Sequence, residues 1–233
     1  MTAEKRAREA FERLKNIADP SHAAKADHFG VRGVEVLGIR APDLKKLAKE
    51  LGKDQALAEA LWAYPAFESR ALAGMVADPK IFPRELAERW AVDFDSWALV
   101  DAVCFYLLYL CPFAYELCFE WADREEEFIR RAAFALMAKI AISHKKRPDS
   151  DLEAFYPLIE RYADDSRNFV KKAVNWALRQ IGKRSAELNA SAIEAGERLL
   201  KREEASARWI ARDALRELKS EAVQRRLGLL LAE

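Results

Sequence analysis

The chain has 233 residues, 51% hydrophobic and 33% charged, with only 8 glycines and 8 prolines, which excludes a turn-rich β protein and leaves ample length for a helical core. Its 39 Lys+Arg against 38 Asp+Glu give a net charge of +1, so global charge singles out neither nucleic acid nor membrane as a partner. No apolar run reaches the ~18–20 residues that span a bilayer. The opening MTAEKRAREAFERLKN is too acidic for a signal or transit peptide, so the chain reads as cytoplasmic. A monomer without a membrane partner is the expectation for its assembly.

Periodicity predicts helices over residues 3–17, 42–52, 54–64, 66–77, 83–91, 96–110, 113–122, 125–142, 150–163, 166–183, 189–202, 204–218 and 220–231. Breakers separate them at Asp19-Pro20, Pro65, Asp78-Pro79, Pro83, Pro112 and Arg147-Pro148, with Gly182 near a helix end. The chain reads as a single domain, with a helical cap over residues 1–40 and repeats over 41–233. Cys104, Cys111 and Cys118 are spaced by seven, fit no zinc pattern, and read as buried thiols rather than redox groups. His22, His28 and His144 are isolated, and nothing in the sequence calls for a metal or an organic cofactor.

An internal repeat carries the fold class. Glu127-Phe-Ile-Arg-Arg-Ala-Ala, Asn168-Phe-Val-Lys-Lys-Ala-Val and Arg208-Trp-Ile-Ala-Arg-Asp-Ala align, with Phe128, Phe169 and Trp209 separated by 41 and 40 residues. Phe67-Glu-Ser-Arg70-Ala is a weaker echo. A period near ~40 with two helices per unit indicates an all-α solenoid of HEAT or armadillo-like repeats. Residues 1–123 carry 16 basic and 20 acidic side chains, and residues 124–233 carry 23 and 18, so the expected concave face is basic in its second half. Such a face suits a phosphate backbone, whereas a solvated helix surface is the plainer alternative.

Helical projection assigns candidates to faces. In the 96–110 helix, Trp97 and Asp101 share one side with Cys104 and Leu108, opposite Leu99, Val100, Val103, Leu107 and Leu110. Asp101 is a candidate for acid/base or electrostatic work, or for a structural pairing with the next repeat. In the 125–142 helix, Arg131 lies beside Ala135 and Ala138, whose small size leaves room for a ligand to approach. Its repeat equivalence with Lys172 and Arg212 points instead to inter-repeat packing. In the 166–183 helix, Lys172, Trp176, Arg179 and Lys183 form one stripe. That stripe reads either as an aromatic platform flanked by phosphate-binding cations or as a packed tryptophan with snorkelling cations. Arg212 and Arg216 extend the basic set into the 204–218 helix.

Three blocks together resemble the HEAT-like-repeat DNA alkylation repair proteins, the AlkD-type DNA glycosylases. They are Phe94-Asp-Ser-Trp97-Ala-Leu-Val-Asp101, Glu127-Phe-Ile-Arg-Arg131-Ala-Ala-Phe and Asn168-Phe-Val-Lys-Lys-Ala-Val-Asn-Trp176-Ala-Leu-Arg. The upstream Leu37-Gly-Ile-Arg-Ala-Pro-Asp-Leu-Lys-Lys is similar to the family's first repeat, so the likeness covers residues 25–220. The resemblance implies excision of N3- and N7-alkylated purines from double-stranded DNA, with no base-enclosing pocket, metal or cofactor. It implies Asp101 as the catalytic aspartate, Trp97 and Trp176 as paired tryptophans against the lesion, and Arg131 on a neighbouring phosphate. Lys172, Arg179, Lys183, Arg212 and Arg216 would hold the DNA. The chain departs from the family where relatives can supply an N-terminal aromatic near the lesion, since Ser21–Gly30 contains only Phe29 and the first tryptophan is Trp62, and in Arg32-Gly-Val-Glu-Val-Leu-Gly-Ile, which differs from the shorter form of active members. A non-catalytic binder of damaged or branched DNA and a protein-interaction scaffold are the alternatives.

Overall fold

The computed structural model describes residues 1–26, 31 and 35–230; His28, Phe29, Arg32–Val34 and the end of the helix expected to reach 231 lie outside the described residues. Among the described residues every regular element is a helix, and the only extended pairing is an isolated bridge between Glu35 and Ala66. No helix among them is long and apolar enough to cross a membrane. The helices gather into two compact units, Met1–Phe113 and Ala114–Glu233.

The first unit contains α1 (Ala3–Asn16), α2 (Pro20–Ala26), α3 (Ala41–Leu51), α4 (Gln55–Trp62), α5 (Phe67–Val76), α6 (Arg84–Val92) and α7 (Trp97–Tyr106). Helix α1 is amphipathic and buries Ala7, Ala10, Phe11 and Leu14, packing on α4. Helix α5 is central, packed against α3, α4 and α7. Trp62 of α4 stacks on Trp90 of α6 with ring centroids 3.9 Å apart, and its Nε1 donates to Asp93 at 2.7 Å.

Two features of the first unit depart from the sequence reading. Asp19-Pro20, read as a breaker, starts α2: proline occupies the first helical position, where its missing N–H costs nothing. The Asp19 carboxylate accepts from Ser21 N at 2.9 Å and from His22 N at 3.3 Å. The helix expected over 96–110 stops at Tyr106, because Leu107 (φ −130°, ψ −71°) leaves helical space and Leu108–Leu110 continues as a 3₁₀ turn. A single α-helical projection therefore misplaces its last residues: Leu108 is buried, and Leu110, assigned to the core, is 48% exposed. Cys104 is buried as well, because α7 is enclosed on most sides.

The second unit contains α8 (Ala114–Glu120), α9 (Glu127–Ser143), α10 (Asp149–Glu153), α11 (Tyr156–Arg161), α12 (Asn168–Gly182), α13 (Ala186–Leu200), α14 (Ala205–Leu218) and α15 (Glu221–Arg226). The expected 150–163 helix is split because Pro157 sits at the start of α11 and has no N–H to donate back to Glu153. The long repeat helices pack side by side, α12 between α9 and α14, with α13 laid over α12 and α14. The repeat positions Ile129, Val170 and Ile210 are all buried, and the Phe128 and Phe169 rings lie 5.6 Å apart. Polar ties join successive repeats. Arg131 donates to Phe169 O at 2.9 Å near one end of the helix pair, and Arg184 donates to Ala141 O at 3.0 Å at the other, so α9 and α12 run parallel.

At the observed boundary the charge asymmetry shrinks. Residues 1–113 carry 16 basic and 17 acidic side chains, and residues 114–233 carry 23 and 21, because Glu116, Glu120 and Asp123 fall in the second unit. The three cysteines are buried and unbridged. Burial pushes the Cys111 thiol up to about 12 and raises Cys118 as well, so both are packing groups rather than nucleophiles.

Candidate functional site

Trp97 and Asp101 occupy the first turns of α7, whose start is fixed by Ser96: its Oγ accepts from Leu99 N at 3.4 Å. The turn before it is tied to α5 by Arg70, which donates to Asp93 O at 3.3 Å, faces Asp95 at 3.7 Å and lies 5.4 Å over the Trp62 ring. An i, i+4 spacing puts Trp97 and Asp101 one above the other on the same face. Both line one cleft of 280 Å³ formed by α3, α5 and α7 and the residues just before α3. Its walls are mostly apolar, with the rings of Phe67, Phe105 and Tyr106 beside Trp97 and with Ala71, Ala98 and Ala102 leaving the space. Asp101 is the one carboxylate among the described residues of that lining, and a carboxylate in apolar surroundings acts on a nearby cation through less dielectric screening than in water.

The cleft depends on a residue that the sequence reading passed over. Glu68, on α5, is 1% exposed and accepts three backbone amides, from Leu37 at 2.9 Å, Gly38 at 2.7 Å and Ile39 at 3.1 Å. It thereby fixes the stretch of chain that brings Ile39 and Ala41 to the cleft. Lys45 is a second residue found only in the structure: its Nζ lies 5.6 Å over the ring of Tyr106, which lines the cleft. The sequence signal for Lys45 was the exposed basic face of α3; for Glu68 there was none beyond its place next to Phe67.

The remaining sequence candidates lie in the second unit and do different jobs from one another. Arg131 is 6% exposed, and the neighbouring Ala135 and Ala138 are fully buried. The space expected beside Arg131 is thus filled by packing, and its guanidinium ties α9 to Phe169 O. Lys172 and Arg212, its repeat equivalents on α12 and α14, are exposed and have no ion-pair partner among the described residues. Trp176 is half-buried one turn beyond Lys172, and with the Gln180 amide turned toward it, its Nε1 donates to Gln180 at 3.1 Å.

The rest of the stripe is neutralised by α14. Arg179 and Lys183 both donate to Glu217, at 2.5 Å each, and Arg179 also faces Asp213 at 3.7 Å. Arg216 pairs with Asp213, which in turn accepts from Asn175 at 2.7 Å. Burial raises the Glu217 carboxyl, but the hydrogen bonds from Lys183 and Arg179 outweigh it and hold it below its ordinary value.

A sequence profile described as DNA alkylation repair enzyme matches residues 10–218. No curated protein matches the chain. Among solved structures it is similar to one described as a new family of proteins related to the HEAT-like repeat DNA glycosylases with affinity for branched DNA structures; the TM-score is 0.75 at 19% identity, covering 95% of each chain. At that identity the likeness is one of fold, a HEAT-like repeat fold. A designed armadillo repeat protein in complex with the peptide (KR)4 aligns with a TM-score of 0.32 and 16% identity over 95% of this chain and 90% of that one.

Proposed function

Because the chain belongs to the DNA alkylation repair enzyme family, we propose that it is a monofunctional DNA glycosylase for N3- and N7-alkylated purines, with the cleft of the first unit as its chemical centre. The observation that carries this reading is that Trp97 and Asp101, four residues apart on α7, line one aromatic cleft. An alkylated purine is already cationic, so its departure needs no acid. The C1′–N bond breaks with its electron pair going to the base, water oxygen bonds to C1′, and the water proton passes to a carboxylate and then to solvent. Asp101 opposes the positive charge that develops on the sugar and receives that proton. The Trp97 face adds cation–π attraction to the same charge. Lys172 and Arg212 hold phosphates, Trp176 presents a stacking face beside Lys172, and Arg131 acts through the α9–α12 packing it secures.

The test is single-turnover base release from a duplex carrying one N7-methylguanine. Wild type is expected to release it well above spontaneous depurination. Asp101→Asn is expected to lose at least about 100-fold while binding DNA with near-unchanged affinity, since only the charge is removed. Equal release by the variant would refute the mechanism. A second reading, a non-catalytic binder of branched DNA, is supported by the description of the similar structure. Release of neither N7-methylguanine nor N3-methyladenine, together with tight binding to a four-way junction, would put that reading first.

A further inference from the structure

The segment joining α9 to α10, Ser143-His-Lys-Lys-Arg-Pro148, belongs neither to the cleft nor to the α12–α14 cations, and a groove of 740 Å³ runs along it. It follows the C-terminus of a 17-residue helix, where unpaired carbonyl oxygens ordinarily repel an anion. Here Arg184, its side chain 7% exposed, removes that repulsion by donating to the carbonyls of Ala141, His144, Lys145 and Arg147 at 2.8–3.1 Å. The nearby carboxylates are also occupied. Asp149 accepts from Ser185 Oγ and faces Arg184 at 3.8 Å, and Asp151 pairs with Arg147 at 2.7 Å. Arg147 in turn sits 4.5 Å over the Tyr115 ring. Two charges are left over: Lys145 and Lys146 are exposed and pair with no carboxylate among the described residues.

We propose that this loop binds a phosphodiester backbone, holding a nucleic-acid strand through Lys145 and Lys146 on a loop whose own carbonyls have been turned inward onto Arg184. The inference rests on the reading of the chain as a DNA binder and adds a second binding site to it. Adjacent ammonium groups on long stems act as point charges that meet phosphate oxygens without reading bases. Since α9 and α12 run parallel, the loop lies about 14 residues beyond the level of Lys172, or roughly 20 Å along the helix axis. The two sites therefore engage different phosphates.

The experiment is fluorescence anisotropy of a labelled 21-base-pair duplex across a NaCl series. Lys145→Ala combined with Lys146→Ala is expected to weaken binding about tenfold and to make the slope of log K against log salt shallower by about 1.8, at about 0.9 for each phosphate no longer neutralised. Lys145→Arg with Lys146→Arg, which keeps both charges, is expected to bind as wild type. Lys80→Ala with Lys201→Ala, two exposed lysines that no ion pair holds among the described residues, is the control for net charge and is expected to leave binding unchanged. An unchanged slope in the Lys145/Lys146 alanine variant would overturn the loop site and leave the DNA-binding reading standing. A control variant that falls equally would overturn it too, by assigning the effect to overall charge. Wild type that binds no duplex would remove both.

Discussion

A Cβ placed on Gly38 would lie 2.2 Å from Asp19 O and 2.6 Å from Ala23 N, at a φ of +78° that side chains with a Cβ rarely adopt. Neither neighbour is a flexible side-chain tip, so the clash cannot be relieved by a rotamer change, and backbone must move at the entrance to α3. Gly38→Ala is expected to lower stability by at least about 2 kcal/mol, seen as a lower urea midpoint with an unchanged slope. The carboxylate of Glu68 holds the same turn through the amides of Leu37, Gly38 and Ile39. Glu68→Gln sets an amide N–H₂ against backbone N–H groups, and a loss of about 2–3 kcal/mol is expected in the same assay. The Leu37-Gly-Ile block is conspicuous in the sequence, but its partner stands about thirty residues away and looks like any helical glutamate. The same blindness affects Arg131, Lys172 and Arg212. One repeat position predicts one role, yet packing buries the first and leaves the other two in solvent.

Between elements, a single-helix projection shows which residues share a stripe but not what the neighbouring helix sets against it. Lys172, Trp176, Arg179 and Lys183 do share a face of α12, and no view of α12 alone reveals that α14 brings Glu217 to two of them. Glu217→Gln is therefore expected to act in two directions. It frees Arg179 and Lys183, so affinity for duplex DNA rises and its salt dependence steepens. It also removes a carboxylate whose folded-state pKa is depressed. Such a group stabilises the fold above the ordinary glutamate value of about 4.3, and that contribution disappears as pH falls through the lower folded value. The variant is thus expected to melt lower than wild type at pH 7, with the gap closing below about pH 4. A constant gap across that range, followed by thermal denaturation, would show that the pairing is not what Glu217 contributes. Helix starts were legible at the serine caps Ser96 and Ser220 but were missed at Asp19-Pro20, which opens α2, and at Ser185, whose cap starts α13 three residues before its expected start. They were lost where Pro157 split an otherwise continuous apolar pattern.

At the scale of the molecule, the repeat period announces the architecture because each repeat meets mainly the next, so one spacing near 40 residues recurs in ties such as Arg131 to Phe169 and Arg184 to Ala141. Net charge is less informative. With the two units at 16 basic against 17 acidic and 23 against 21, long-range attraction to DNA is weak in both. Binding must then come from individual cations that have no carboxylate of their own, and many basic residues of the second unit are already paired. Lys172 and Arg212 are among the exceptions. Lys172→Ala with Arg212→Ala is accordingly expected to cost much more affinity than its two-charge change in net charge implies, and to make the salt slope shallower by about 1.8. Because both side chains are exposed, the melting temperature should stay within about 1–2 °C of wild type. Removing Arg179 and Lys183 by the same substitutions is expected to give the opposite profile: a small change in DNA affinity with a clear loss of thermal stability, since Glu217 is left without either partner. Equal affinity losses in the two double variants would mean that the Glu217 pairing opens when DNA binds, and would return Arg179 and Lys183 to the DNA-binding surface.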